Sequence, residues 1–100
     1  MNPTKVIREK VVKLTDLPNI GKTVAHDLTR IGITRPEQLK DQDPYDLYVR
    51  LCEAFGERQD PCMLDVLMSI TDFMDGGEAR VWWDYTLGRK RKYPSIQVTL

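Results

Sequence analysis

The stretch Leu17-Pro18-Asn19-Ile20-Gly21 constrains this chain more than any other, because a proline and a glycine within five residues force a tight turn between apolar anchors. Beyond it, Val24, Ala25, Leu28 and Ile31 recur at helical spacing, and Gly32 offers a C-cap. Before it, Asn2-Pro3 reads as a helix start, and Val6, Ile7, Lys10, Val11 and Leu14 leave a narrow apolar stripe. The spacing predicts a helix over 3–14, a turn, and a second helix closing near 31.

The same punctuation continues downstream. Thr34-Arg35-Pro36-Glu37 resembles a capping box and predicts a short helix that carries Leu39 inward and ends near Asp41. Asp43-Pro44 opens the next, with Leu47, Tyr48, Leu51, Ala54 and Phe55 on one face and Gly56 at its end. Asp60-Pro61 opens a helix apolar on most sides, from Met63 to Met74, as a central helix would be. Gly76-Gly77 breaks the chain, and 78–100 has no clean helical period. There Trp82-Trp83 and Tyr85 would fasten the tail to the helices, with one indole inward and one outward. Tyr93 to Leu100 alternates weakly and reads as an edge strand or an unstructured end. The expected fold class is all-α: a compact bundle of about five helices, forming a helical domain over 1–77, followed by an irregular, Trp-anchored basic tail over 78–100.

One hundred residues with 41% apolar content suit one domain. No apolar run nears the roughly 18–20 residues of a membrane span, and charges occupy Met1 to Lys10 where a secretory signal is apolar. A cytoplasmic protein with reduced Cys52 and Cys62 is expected. The net charge is zero, but its distribution is uneven. Residues 1–30 hold six Lys/Arg against three Asp/Glu, 31–79 four against eleven, and 80–100 five against one. Basic ends facing one way would make a modest positive surface for phosphate.

The start of the helix after the turn exposes backbone N–H groups that have no partner inside that helix. The amides of Ile20, Gly21, Lys22 and Thr23 would converge there, with the helix dipole and the Lys22 ammonium adding positive charge. Glycine at 21 lets an anion approach the main chain. Arg89-Lys90-Arg91-Lys92 reads as an exposed cluster that would add charge. The expected nucleic-acid-binding set is thus Asn19, Ile20, Gly21, Lys22, Thr23, Arg89, Lys90, Arg91 and Lys92. It would grip DNA backbone, and RNA by the same chemistry, while offering nothing that distinguishes bases. A Pro/Gly turn is also how any small bundle folds back, so a protein-interaction module or homodimer using the hairpin or the tryptophans is the alternative.

Other chemistries fit poorly. Gly21-Lys22-Thr23 ends like a phosphate-binding P-loop, but Asp16 stands where that loop needs its first glycine, and a helix precedes it. Cys52 and Cys62, with His26 as the single histidine, form no metal-ligand spacing and read as structural thiols. No enzyme activity, metal or cofactor is expected.

Leu-Pro-x-Ile-Gly followed by Ala25 resembles the helix-hairpin-helix motif of DNA-binding proteins. With Gly32-Ile33-Thr34, Asp43-Pro44, Leu51-Cys52, Gln59-Asp60-Pro61-Cys62 and Trp82-Trp83, residues 5–92 resemble the pathogenicity-locus family. These are small bacterial helix-hairpin-helix proteins, some of which carry the label mitomycin resistance. The resemblance implies an all-α domain that binds DNA, with a part in DNA repair or damage resistance. Asn19 stands where the motif usually has glycine. Asn tolerates positive φ, so the turn can survive, with its side chain covering the phosphate site or bonding to it.

Overall fold

The computed structural model describes residues 2–97, with side chains described as far as Ser95. Among the described residues there are four α-helices, α1 (Lys22–Thr29), α2 (Pro44–Phe55), α3 (Pro61–Met74) and α4 (Thr86–Lys92), together with short 3-10 turns, and no strand. The fold is all-α, with four helices rather than five.

The helix starts at 44 and 61 lie where the Asp-Pro pairs put them. Asp43 Oδ1 accepts from the Tyr45 N–H at 3.0 Å and Asp60 Oδ1 from the Cys62 N–H at 2.8 Å, each with proline in the first turn. Gly56 ends α2 at φ 69°, the left-handed conformation that terminates helices. The short helix expected at Pro36 is a 3-10 turn, Pro36–Leu39. Gln38, one residue beyond the glutamate that the sequence suggested, closes its start by accepting from the Thr34 and Arg35 amides.

α3 is the central helix. It packs against α2, α4 and the turns Pro36–Leu39 and Trp82–Tyr85, and buries Leu64, Leu67, Ile70 and Phe73 together with Leu17, Leu28, Leu39, Leu47 and Leu51.

Two expectations fail. The helix predicted over 3–14 is absent: three separate 3-10 turns, Pro3–Lys5, Arg8–Lys10 and Leu14–Asp16, are joined by extended residues at Val6, Ile7 and Val11. Valine and isoleucine at 6, 7, 11 and 12 lose side-chain freedom in a helix. The Asp16 carboxylate also takes the Val12 and Lys13 amides, both at 3.0 Å, out of helical pairing. Only Val6, Val11 and Leu14 of the supposed stripe reach the core, while Val12 is 78% exposed. Arg8 serves the fold instead. Its guanidinium lies 4.1 Å over the Phe73 ring and donates to the carbonyls of Phe73 and Gly77, so a cation closes the C-terminal end of α3.

The tail is not irregular either. It forms the 3-10 turn Trp82–Tyr85, then α4, then the 3-10 turn Pro94–Gln97. Its inward face is polar. Thr86 Oγ1 donates to Asp65 Oδ2 and Arg89 Nε to Asp65 Oδ1, both at 2.7 Å, and Tyr93 stacks on Tyr45 with ring centroids 5.0 Å apart. The end of the segment expected as an edge strand, residues 98–100, lies outside the described residues.

Candidate nucleic-acid interface

Leu17 and Ile20 point into the core and Pro18 is buried with them, which pins the turn from beneath. Asn19 sits at φ 68°, a conformation that asparagine adopts more readily than other side-chain-bearing residues. Pro followed by a residue of positive φ is the pairing that a type II turn requires. The turn therefore keeps its shape without the usual glycine.

The Asn19 side chain does something the sequence did not reveal. Its Nδ2 donates to Ser69 Oγ at 3.0 Å and to the Arg80 carbonyl at 2.7 Å, and its Oδ1 accepts from the Trp82 N–H at 3.1 Å. The amide faces the central helix and the tail, so it neither covers the start of α1 nor reaches toward a ligand there. The partners lie 50 to 63 residues away in sequence, beyond the range of any local pattern.

Gly21 is the N-cap of α1, in extended backbone (φ −94°, ψ −176°), and no side chain caps the helix. Gly21, Lys22 and Thr23 are exposed, and a Cβ built on Gly21 would meet nothing within 4 Å. The backbone does not demand glycine here; the lack of a side chain leaves the first amides of α1 open to solvent. Uncapped amides at the positive end of a helix dipole, beside an exposed lysine, can hold an anionic oxygen.

A groove of about 360 Å³ opens beside these amides, lined by Pro3, Asn19, Ile20, Gly21, Trp82 and Trp83. The two indoles meet edge to face, with centroids 5.4 Å apart and planes at 86°. Trp82 is half-buried and Trp83 is 59% exposed, and both line the groove.

The basic cluster is smaller than the sequence suggested. Arg89 is buried against Asp65, which is itself fully enclosed, so its guanidinium belongs to the core and not to a phosphate surface. A buried carboxylate on α3 needs a charged, hydrogen-bonded partner, and Arg89 is the one that α4 brings to it. Lys90, Arg91 and Lys92 are exposed, with Lys92 Nζ 5.5 Å from the centre of the Tyr93 ring. None of the four lines the groove beside Gly21.

Cys52 and Cys62 are half-buried thiols, neither in a disulfide, and burial pushes the Cys62 thiol above its ordinary value. His26 is exposed on α1. Among the described residues, no three His, Cys, Asp or Glu side chains come together as a metal-ligating group, and no helix is long and apolar enough to cross a membrane.

The chain is 54% identical over 78 residues to the mitomycin resistance protein McrB of Streptomyces lavendulae, an overlap covering 78% of this chain and 74% of that one. No solved structure matches it. Residues 7–91 match the pathogenicity-locus family, a span that runs from the N-terminal arm through Gly21 and the paired tryptophans into α4, and the chain belongs to that family.

Proposed function

We propose that this chain binds nucleic-acid backbone without sequence preference, through the turn Asn19 to Thr23, and carries out no reaction of its own. The observation that supports this most directly is the start of α1. There Gly21 leaves the first amides uncapped and open to solvent, beside the exposed Lys22. Backbone amides and lysine recognise phosphate and carry no information about base edges, so the binding is non-specific. Lys90, Arg91 and Lys92 add charge from α4. The acidic stretch 31–79 keeps the overall attraction weak. DNA is the proposed partner, in a cytoplasmic setting. The name of the Streptomyces relative ties that protein to mitomycin resistance, and an accessory part in DNA repair or damage resistance is proposed here on the same line.

The test is binding of labelled duplex, junction and single-stranded DNA as a function of salt. Two to four phosphate contacts give a log–log salt slope of roughly −2 to −4 and an affinity no better than about micromolar near physiological salt. Absence of salt-dependent binding to all three at low ionic strength would reject the proposal. A second reading, a protein-interaction module, draws on Trp83 and Leu87. They are 59% and 60% exposed and lie four residues apart, in the 3-10 turn and in α4. Under that reading, self-association or partner binding would be insensitive to Lys22 and to salt.

A further inference from the structure

The exposed indole of Trp83 is held in place. On one side, the Trp82 backbone N–H is tied to Asn19, and the Trp82 and Trp83 rings meet at 86°. On the other, the Tyr85 hydroxyl donates to Asp72 Oδ2 at 2.7 Å, and Thr86 and Arg89 close on Asp65. The segment is thus tied to the Asn19 turn on one side and to α3 on the other, and it presents the exposed Trp83 ring as a wall of the groove. Pro3, Asn19, Ile20, Gly21 and Trp82 complete the lining, and Gly21 contributes no side chain to fill it.

An occupant that satisfies this groove has two parts. One is a flat, π-bearing ring to lie on an indole, and the other is an anion to meet the uncapped amides that begin at Gly21, with the exposed Lys22 next in the chain. A nucleotide of an unpaired strand carries both, with its base free to stack and its phosphate attached, whereas a duplex keeps its bases inside. We propose that the groove takes one unpaired nucleobase, stacked on Trp83, from a strand whose phosphate lies at the start of α1. This rests on the backbone-binding reading above and extends it. Trp83 is the stacking platform. Asn19 is a positioning residue that holds the tryptophan turn beside Gly21.

The test compares three probes of equal length at low salt: single-stranded oligo-dT, the same backbone with abasic sites, and a duplex. Wild-type protein should bind oligo-dT at least about fivefold more tightly than the abasic strand, with quenching of tryptophan fluorescence. Trp83→Ala should weaken oligo-dT binding by about 5- to 100-fold and erase the difference from the abasic strand, while Trp83→Phe retains most of it. The comparison of dT with abasic strand on wild-type protein holds whether or not a variant folds. Equal binding of dT and abasic strands, or indifference of dT binding to Trp83→Ala in a folded variant, overturns the stacking site. If salt-dependent binding persists in that case, the backbone reading stands alone, and if all binding is absent, both fail. Self-association abolished by Trp83→Ala, with no preference for bases, would assign the groove to a second copy and overturn the proposal.

Discussion

Arg89 Nε lies 2.7 Å from Asp65 Oδ1, and both side chains are enclosed, the arginine 6% and the aspartate 0% exposed. This ion pair holds α4 on the central helix where an apolar contact would ordinarily do so. Removing one partner strands a buried charge. Arg89→Met should therefore cost about 3–5 kcal/mol in chemical denaturation, whereas the double variant Asp65→Leu/Arg89→Met should recover most of that loss. A single variant as stable as the parent would show that the pair contributes little.

Asn19 supports a second prediction. Asn19→Gly keeps a residue that tolerates positive φ but deletes the bonds to Ser69, Arg80 and Trp82, and should cost about 1–2 kcal/mol. Asn19→Ala loses the same bonds and adds left-handed strain, so it should be less stable than the glycine variant by roughly 1 kcal/mol. Thermal melts of the two variants, measured side by side, decide this by their order. Equal melting temperatures would mean that the turn relaxes out of the left-handed conformation.

These two residues also mark how far the sequence could be read. The starts of α2 and α3 were legible because Asp43 and Asp60 cap their own helices, a signal contained within three residues. Positive φ at Asn19 was legible from the turn, yet its partners were not, being on elements far away in the chain. α4 was not legible because the inward residues Thr86 and Arg89, and Tyr93 just past its end, keep helical spacing with polar and aromatic side chains and so leave no apolar period. The opposite error occurred at the N-terminus. Apolar spacing was present over 3–14, but β-branched residues and the Asp16 carboxylate favoured extended backbone and 3-10 turns.

The N-terminal arm gives a third prediction. Arg8→Ala removes both the cation at the end of α3 and the contact over the Phe73 ring, and should cost about 1–2 kcal/mol. Val12→Ser, at a position 78% exposed, should stay within about 0.5 kcal/mol of the parent. A continuous helix over 3–14 would require a helical far-UV signal from the arm, so a matching loss of ellipticity on deleting it would contradict the three-turn arrangement.

The thiols give a fourth. Burial raises the Cys62 thiol above its ordinary value, so less thiolate is present at neutral pH than in an open thiol. Alkylation of Cys62 in the native protein should be slower than that of a free cysteine at pH 7, and should accelerate as pH rises through and beyond the ordinary thiol range. Native labelling at the rate of the denatured chain would contradict the half-buried position.

The last prediction separates the two contributions to the proposed phosphate contact. Gly21 lies in open space, so an aspartate there can be accommodated without a clash, and its extended backbone suits any residue. Gly21→Asp should therefore fold normally by circular dichroism. Its carboxylate would cap the first amides of α1 from within, compete for the site and repel phosphate. Binding should fall below detection, even as the new cap adds about 0.3 kcal/mol of stability. Lys22→Ala leaves the amides open and removes one exposed charge, so it should reduce the salt slope by about one unit and retain the remaining binding. The signature is a variant that gains stability while losing nucleic acid. A Gly21→Asp protein that is folded and still binds with the parent's salt slope would move the contact away from α1, to Lys90, Arg91 and Lys92 on α4.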